Sequence, residues 1–333
     1  MLSSGPMKAS GLRLCACVLF LLVAAAALAG ADASTVTTEP IFSAGGGPVL
    51  PLAPERSAMT TAQGALLGLI EGLTEFLPVS SHGHLAVARS LMGLTSTPEE
   101  KLASEAYAIC IQAGAIIAIL LVCFARIRAM ARGIVGRDRE GVRLLGRIAV
   151  AFVPAALIGL LLGDRIAQSL HGTWPIAAAW LVGGIFILGV LARPRPDGGK
   201  PLEGLSWESA LIIGLAQVVA LWPGVGRSLA LIGAALLLGL SASAAVEFSF
   251  LLGLFTLGAA TVQEGIRHGQ DIVRIFGWVS PSAGLVIAGL SAFGAARWLM
   301  DYLRERSLAV FGWYRIGIAV FVGALAAMRI IAA

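Results

Sequence analysis

Charged side chains are scarce in this sequence: Asp, Glu, Lys and Arg together make up 13% of its 333 residues. Soluble domains usually carry about 25% charged residues, so this chain has too few to cover a water-facing surface of its size. Apolar residues make up 58% of the chain, and long apolar runs recur from residue 104 to residue 331. The composition therefore excludes a soluble globular domain and predicts several transmembrane helices.

Cysteine and histidine are also rare, with four residues of each type. The spacing of the cysteines suggests no metal site. Basic residues exceed acidic ones by 24 to 19, but no basic stripe with interleaved aromatic residues is present, so nucleic acid is not an expected partner. In a membrane protein, an excess of Lys and Arg usually marks the cytoplasmic loops.

The N-terminal region is typical of a targeting segment. Two basic residues precede an apolar stretch at 14–28, which is followed by small residues in a cleavage-site pattern, so residues 1–33 are predicted to be a signal peptide. Residues 34–58 are rich in Pro, Gly, Ser and Thr and are predicted to be a disordered linker. Residues 59–333 then form a membrane-embedded domain. An uncleaved helix and a true start at Met59 are the alternatives.

The apolar segments predict an all-α polytopic membrane protein with six transmembrane helices. Segment 125–147 holds seven arginines, so it should be a cytoplasmic loop under the positive-inside rule. Segments 95–103, 164–173 and 263–277 are then the outer loops. The second predicted span is short for a bilayer. The predicted spans are 104–124, 148–163, 174–192, 241–262, 278–300 and 311–331.

Two further apolar stretches, 60–94 and 208–240, do not fit simple membrane crossings. Each is interrupted by a proline, Pro78 or Pro223, and the residue before a proline avoids the helical region. The helix expected after the first interruption, 84–94, would reach only about 16 Å, roughly half of a bilayer core of about 30 Å. Each stretch therefore predicts a re-entrant helical hairpin.

The two halves of the domain, about 60–192 and 208–331, resemble each other. Gly-Leu pairs recur 146 residues apart, for example at Gly93 and Gly239. Each half contains one hairpin and three spans, and an odd number of spans makes the second half enter from the opposite side. The sequence therefore predicts an inverted-topology repeat, with a site where the halves meet at the membrane midplane.

The hairpins and their flanks contain few ionisable residues: Glu71, Glu75, His84, Arg227 and, less centrally, His82. A charge at the bilayer centre costs at least ~2.5–3.5 kcal/mol, so such groups usually line a site. A structural ion pair between the hairpins is the alternative. Glu71 and Glu75 share one helix face and repel each other unless they hold a divalent cation or share a proton. The first case predicts a metal site, the second an acid or base.

Hydroxyl groups and one guanidinium complete the set. Ser80 and Ser81 follow Pro78, and Ser81 stands where an N-cap is expected, so the next helix offers a phosphate cradle. Ser81 and His84 supply a hydroxyl and a base, although capping alone would also explain Ser81. Arg227, next to Ser228, is suited to bidentate phosphate binding. These residues predict a site for a lipid phosphate, but they do not separate hydrolysis from transport.

Two segments carry a resemblance to a known family. Residues 71–85, EGLTEFLPVSSHGHL, resemble the first signature of the undecaprenyl-diphosphate phosphatase family of the bacitracin-resistance type. Residues 223–228, PGVGRS, resemble its second signature, and the similarity continues to residues 314–315. The resemblance covers roughly residues 60–330, and the first 58 residues lie outside it.

The resemblance implies a bacterial enzyme of the inner membrane that removes the terminal phosphate of undecaprenyl diphosphate and recycles the carrier for peptidoglycan synthesis. It implies a divalent cation, Mg or Ca, and an active site facing the periplasmic side. The expected partners are a polyprenyl diphosphate lipid and the bilayer, and a homodimer is left open. The implied site residues are Glu71 and Glu75 for the metal, Glu75, Ser81, His84 and Arg227 for catalysis, and Ser80, Ser81, Arg227 and Ser228 for the substrate.

The sequence departs from the family pattern at three positions. His82 stands where Ser or Thr is usual, and Gly226 and Leu229 replace a Ser and a Gly of the second signature. One rival interpretation is a lipid-phosphate transporter or flippase, because an inverted repeat with a midplane site suits alternating access. Another is a non-catalytic homologue disabled by Gly226. Whether Ser81 or His84 attacks phosphorus stays open, with a preference for His84 and a positioning role for Ser81.

Overall fold

A computed structural model describes residues 59–170, 172–192 and 199–331, which form α-helices joined by turns and contain no strand beyond one isolated bridge, Lys200–Leu240. The predicted signal peptide and linker lie outside the described residues. The α-helices in the described ranges are α1 Thr61–Glu75, α2 Ser81–Leu91, α3 Pro98–Cys110, α4 Gln112–Val122, α5 Phe124–Ile134, α6 Arg139–Ser169, α7 Thr173–Phe186, α8 Trp207–Val219, α9 Arg227–Leu237, α10 Ala242–Phe276, α11 Val279–Glu305 and α12 Ala309–Ala327.

Six stretches of helix in the described ranges are long and apolar enough to cross a membrane, and they confirm the six predicted spans. The protein is therefore a multi-pass membrane protein. Its outer surface carries large apolar side chains, such as Leu160 and Leu161, that a water-soluble protein would cover. The six stretches are Pro98–Val122, Arg139–Gly163, Thr173–Leu191, Ala242–Phe276, Val279–Glu305 and Ala309–Ala327.

The segments that were predicted as loops are largely helical, including residues 98–103 and 164–169, and the second span is longer than predicted. Segment 263–277 lies almost entirely within α10, where its charged residues form pairs three or four residues apart, including Arg274 and Asp271 at 2.9 Å. Segment 125–147 forms most of α5 and the start of α6, whose N-cap is Asp138. Polar composition suggested loops because it marks the membrane boundary, whereas helix formation depends on backbone propensity and local pairing.

The two interrupted stretches repeat one backbone pattern. In each, a helix of 15 or 13 residues is followed by a break and then by a helix of 11 residues. α1 ends at Glu75 and α8 at Val219, three and four residues before their prolines. Corresponding turning points lie 146 residues apart: the N-caps Thr60 and Ser206, the positive-φ break residues Ser80 and Gly226, and the positive-φ residues Gly93 and Gly239.

The packing also pairs helices of one half with helices of the other half. α1 packs against α11, and α8 packs against α6, so the first helix of each stretch lies on a helix of the other half. Small residues allow the close approach of α1 and α11: a Cβ at Gly68 would overlap the Gly284 carbonyl. α7 packs against α12, and α3 and α4 pack against α10. This arrangement brings the two helix breaks together.

The breaks touch directly. The Ser228 hydroxyl, at the start of α9, donates a hydrogen bond to the Leu77 carbonyl before α2, at 2.7 Å. A Cβ at Gly226 would lie 3.0 Å from the Ser80 Cα. Both contacts join residues about 150 positions apart in the sequence, so the candidate residues of the two stretches lie at one place.

Candidate active site

The chain turns into α2 at Ser80, which has a φ of 72° and is the N-cap residue. The expected N-cap, Ser81, is the first residue of the helix, so the sequence prediction was wrong by one position. The left-handed backbone at Ser80 is uncommon for a residue with a side chain. Its hydroxyl makes no capping bond and is buried without a hydrogen-bond partner among the described residues.

The Glu75 carboxylate links the two breaks. One oxygen accepts a hydrogen bond from the Ser81 hydroxyl, and the other accepts from Arg227 Nη2 at 2.7 Å. The two side chains of the ion pair are 5% and 14% exposed, so water screens the pair only weakly. A hydroxyl, a carboxylate and a guanidinium therefore meet in one buried cluster, in which Glu75 can accept the Ser81 proton.

Arg227 is the first residue of α9, and its guanidinium is fixed from two sides. Nη1 donates to Thr256 Oγ1 at 2.7 Å and to the Gly253 carbonyl at 3.3 Å. A Cβ at Gly253 would lie 2.9 Å from Nη2, so the glycine leaves room for the side chain. Arg227 Nε has no partner among the described residues. A donor therefore remains for an anionic oxygen.

Glu71 lies one helical turn before Glu75 and is fully buried. Neither of its carboxylate oxygens has a hydrogen-bond partner among the described residues. In the described part of the chain no group of three or more His, Cys, Asp or Glu side chains could enclose a metal ion. The unpartnered Glu71 oxygens could contribute to a cation site that takes its remaining ligands from phosphate oxygens and water, whereas both Glu75 oxygens already accept hydrogen bonds.

His84 is held by protein groups at both ring nitrogens. Nδ1 lies 2.7 Å from the Ser80 carbonyl oxygen, and Nε2 lies 2.6 Å from the Tyr314 hydroxyl. Because a carbonyl can only accept, Nδ1 must carry a proton, and a neutral His84 accepts at Nε2 from Tyr314. The sequence predicted His84 as the partner of Ser81, but the Ser81 hydroxyl donates to Glu75.

The departures from the family pattern have different surroundings. Gly226 has a φ of 82°, and a side chain there would meet Ser80. The His82 side chain is exposed, whereas Leu229 is buried. Ser228, predicted to bind substrate, donates a hydrogen bond to the Leu77 carbonyl and so joins the breaks.

Three further residues lie at the site but were not among the predicted site residues, although the family resemblance extended to Tyr314 and Arg315. Thr256 orients Arg227, Tyr314 contacts His84, and Arg315 contacts the backbone of both breaks. Arg315 could have been found, because an Arg within an apolar span predicts a functional role. Nothing local marks Thr256, since hydroxyl residues are common in membrane helices.

The fold and site define a multi-pass membrane protein with a buried cluster of carboxylate, hydroxyl and guanidinium groups at two facing helix breaks. The chain belongs to the family described as bacitracin resistance protein BacA, whose family model matches residues 64–321. This confirms the family predicted from the two signatures.

Curated relatives cover most of the chain. An undecaprenyl-diphosphatase of Sorangium cellulosum is 43% identical over 261 residues, which are 77% of this chain and 83% of the relative. An undecaprenyl-diphosphatase of Nitrosospira multiformis is 38% identical over 78% of this chain and 93% of the relative. A protein named undecaprenyl-diphosphatase 2 in Rhodospirillum rubrum is 38% identical over 79% and 93%.

Proposed function

We propose that this protein is an undecaprenyl-diphosphatase that hydrolyses undecaprenyl diphosphate to undecaprenyl phosphate and inorganic phosphate. The reaction recycles the lipid carrier for cell-wall synthesis. The observation that carries the proposal is the Glu75 carboxylate, which contacts both the Ser81 hydroxyl and the Arg227 guanidinium. Relatives that bear this name and align over most of the chain support the same activity.

The geometry favours Ser81 as the nucleophile and Glu75 as its base. The Ser81 oxygen attacks the terminal phosphorus, its proton passes to Glu75, and the bond from phosphorus to the bridging oxygen breaks. Undecaprenyl phosphate leaves and takes the proton back from Glu75. Water then attacks the phosphoserine, gives a proton to Glu75, and releases phosphate as the Ser81 oxygen is reprotonated. This assignment replaces the preference for His84 that the sequence suggested.

Arg227 stabilises the charge that moves onto the phosphoryl oxygens. A guanidinium fixed in a water-poor site needs little reorganisation during the reaction, and this is where electrostatic stabilisation is strongest. The free Arg227 Nε–H and the unpartnered Ser80 hydroxyl are suited to bind the remaining oxygens. Ser228 supports the site by holding the breaks together.

Glu71 and Glu75 would hold a divalent cation, Mg or Ca, together with oxygens of the diphosphate. Such a cation would neutralise substrate charge and polarise the phosphoryl group. The fully buried, unpartnered carboxylate of Glu71 supports this proposal, since a charged group in that state needs a cation or a proton.

His84 positions the start of α2 in this scheme. Its Nδ1–H bonds to the carbonyl of Ser80, the residue before the nucleophile, while Tyr314 occupies Nε2. The ring therefore holds the break from one side and presents no free nitrogen while Tyr314 is in place.

We also propose that the two interrupted stretches are re-entrant hairpins in an inverted repeat, with halves of about 60–192 and 208–331. The 11-residue helices α2 and α9 reach about 16 Å, too short to cross a bilayer. The exchange of packing partners between halves, α1 with α11 and α8 with α6, supports the repeat.

The protein is proposed to lie in the bacterial inner membrane with the site open to the periplasm. The seven arginines of 125–147 support a cytoplasmic position for that segment. A cysteine introduced near Arg137 should resist impermeant thiol reagents in intact cells, whereas one near Thr95 should react. Inverse labelling would place the chemistry on the cytoplasmic side.

All the site residues belong to one chain, so the proposed reaction does not need a homodimer.

The direct experiment is phosphate release from undecaprenyl diphosphate by purified protein in detergent, with and without a chelator. We expect phosphate release that stops with the chelator and resumes when Mg or Ca is restored. A transporter or flippase would move the lipid across vesicle membranes without releasing phosphate. The contact between a hydroxyl and a base favours the enzyme, because transport needs anion binding but no nucleophile.

A further inference from the structure

Arg315 on α12 contacts the backbone of both helix breaks. Its side chain is fully buried, although it lies in a span that is otherwise apolar. The guanidinium donates four hydrogen bonds, all to main-chain carbonyls. The acceptors are Pro78 at 3.2 Å and Val225 at 3.0 Å for Nη1, and Ala179 at 2.9 Å and Gly224 at 2.7 Å for Nη2.

These acceptors belong to three separate parts of the fold. Pro78 lies in the break before α2, Gly224 and Val225 lie in the break before α9, and Ala179 lies on α7. Carbonyls near a helix break lack their usual helical partners, and burial without a donor is costly. One planar guanidinium with several fixed donors satisfies three of them at once, and it also bonds to the Ala179 carbonyl within α7.

No carboxylate in the described ranges forms an ion pair with Arg315, because the ion pairs there join other residues. A buried cation without a carboxylate partner is costly and usually has a functional role. Arg227, by contrast, is paired with Glu75. The two arginines therefore differ: Arg227 takes part in the reactive cluster, and Arg315 binds the backbone that carries the cluster.

The neighbouring helix leaves space for this side chain. Gly183 on α7 faces the guanidinium, and a Cβ at that position would overlap Nη2 of Arg315. Gly189, six residues further along, has no atom within 4 Å of an added Cβ. The chain thus offers one glycine whose replacement would displace the guanidinium and another whose replacement would not.

We propose that Arg315 is a positioning residue for the phosphatase reaction. Its hydrogen bonds fix the two breaks relative to each other, and they thereby set the distance between Ser81 at the start of α2 and Arg227 at the start of α9. It acts through the backbone and does not touch the substrate. This inference rests on the proposed phosphatase function.

The test compares Arg315→Lys and Arg315→Gln with wild type, each purified in detergent and assayed by steady-state phosphate release. Lysine keeps the charge but cannot reproduce the planar set of donors. Both variants should lose about a hundredfold in kcat, as expected when reacting groups are misplaced by about 1 Å. KM should change less than about threefold, because substrate contacts are retained. Arg89→Lys is the matched control and should keep wild-type kcat, since Arg89 bonds to Leu85 and Ser104.

A second pair of variants leaves Arg315 itself unchanged. Gly183→Ala should lower kcat with little change in KM, whereas Gly189→Ala should match wild type. If the Arg315 variants fail to fold, as judged by thermal unfolding in detergent, the Gly183→Ala result decides. Wild-type kcat in Gly183→Ala or in Arg315→Lys would overturn the inference, and so would a large rise in KM, which indicates substrate contact. Absence of phosphate release by wild type would instead contradict the proposed function.

Discussion

Glu75 and Arg227 form a buried ion pair of 2.7 Å between the ends of two helices that are 152 residues apart in the sequence. The same carboxylate accepts a hydrogen bond from Ser81. Each of the two interrupted stretches therefore contributes to one cluster, and the cluster exists only where the breaks meet. Activity should therefore depend on the contact between the two breaks.

Arg227→Lys should lower kcat by about a hundredfold, close to the effect of Arg227→Ala. Lysine retains the charge, but it cannot bond to Glu75, Thr256 and a phosphate oxygen in one plane. The measurement is steady-state phosphate release. Arg126→Lys is the control, because Arg126 also pairs with carboxylates, Glu203 and Glu247, outside the site. Near-wild-type turnover by Arg227→Lys would contradict the role of the guanidinium plane.

The covalent step predicts an intermediate that can be trapped. Substrate labelled in its terminal phosphate should leave an acid-stable phosphoserine at Ser81 when the reaction is quenched early. Glu75→Gln should lower the amount formed, because the amide cannot accept the Ser81 proton. Mass spectrometry of the quenched protein gives the position. An acid-labile phosphohistidine at His84 would reverse the assignment of the nucleophile, and the absence of both would indicate direct attack by water.

Tyr314→Phe should reduce activity and stability together. Removing the hydroxyl leaves His84 Nε2 buried without its 2.6 Å partner, and an unsatisfied buried polar group costs about 1–3 kcal/mol. We expect a lower Tm in detergent and a reduced kcat, because His84 no longer holds the Ser80 carbonyl as firmly. Tyr107→Phe is the control, since it loses only a 3.4 Å contact with the Gly64 carbonyl away from the cluster. Equal kcat for the two variants would refute the positioning role of His84.

Gly226→Ala should inactivate the protein more than Gly239→Ala. Both glycines have positive φ, 82° and 86°, so alanine strains the backbone by about 1–3 kcal/mol at either position. At Gly226 the new Cβ also lies 3.0 Å from the Ser80 Cα, whereas at Gly239 it meets no atom within 4 Å. Phosphate-release assays should therefore give a lower kcat for Gly226→Ala than for Gly239→Ala, and the Tm of Gly226→Ala should be at least as low. Equal loss of kcat would mean that the Ser80 contact has no role.

Much of the architecture could be predicted from the sequence because membranes impose simple length and polarity rules. The six spans were correct, and Pro78 and Pro223 marked the two interruptions. The helical state of 263–277 was missed because its polar composition predicts a loop, although Asp271 and Arg274 stand at the spacing of a helical ion pair. The N-cap was assigned to Ser81 because nothing in the sequence indicates the positive φ of Ser80.

The site was only partly predictable for a related reason. Glu71, Glu75 and Arg227 stand out as charges in apolar surroundings, so polarity alone identifies them. Their partners depend on tertiary structure. Spacing suggested that Ser81 pairs with His84 on the same helix. Instead, Ser81 donates a hydrogen bond to Glu75 across the break. The Tyr314 hydroxyl, 230 positions away in the sequence, is the hydrogen-bond partner of His84 Nε2.

The most direct measurement is the initial rate of phosphate release from undecaprenyl diphosphate by purified wild type and Ser81→Ala, at equal amounts of folded protein. Loss of the attacking hydroxyl should lower kcat by a factor of about 10³ or more, while Arg227 and the proposed cation site should still bind substrate. A wild-type protein that releases phosphate and a Ser81→Ala variant that is nearly inactive would agree with the account. A Ser81→Ala variant with the wild-type rate would contradict it.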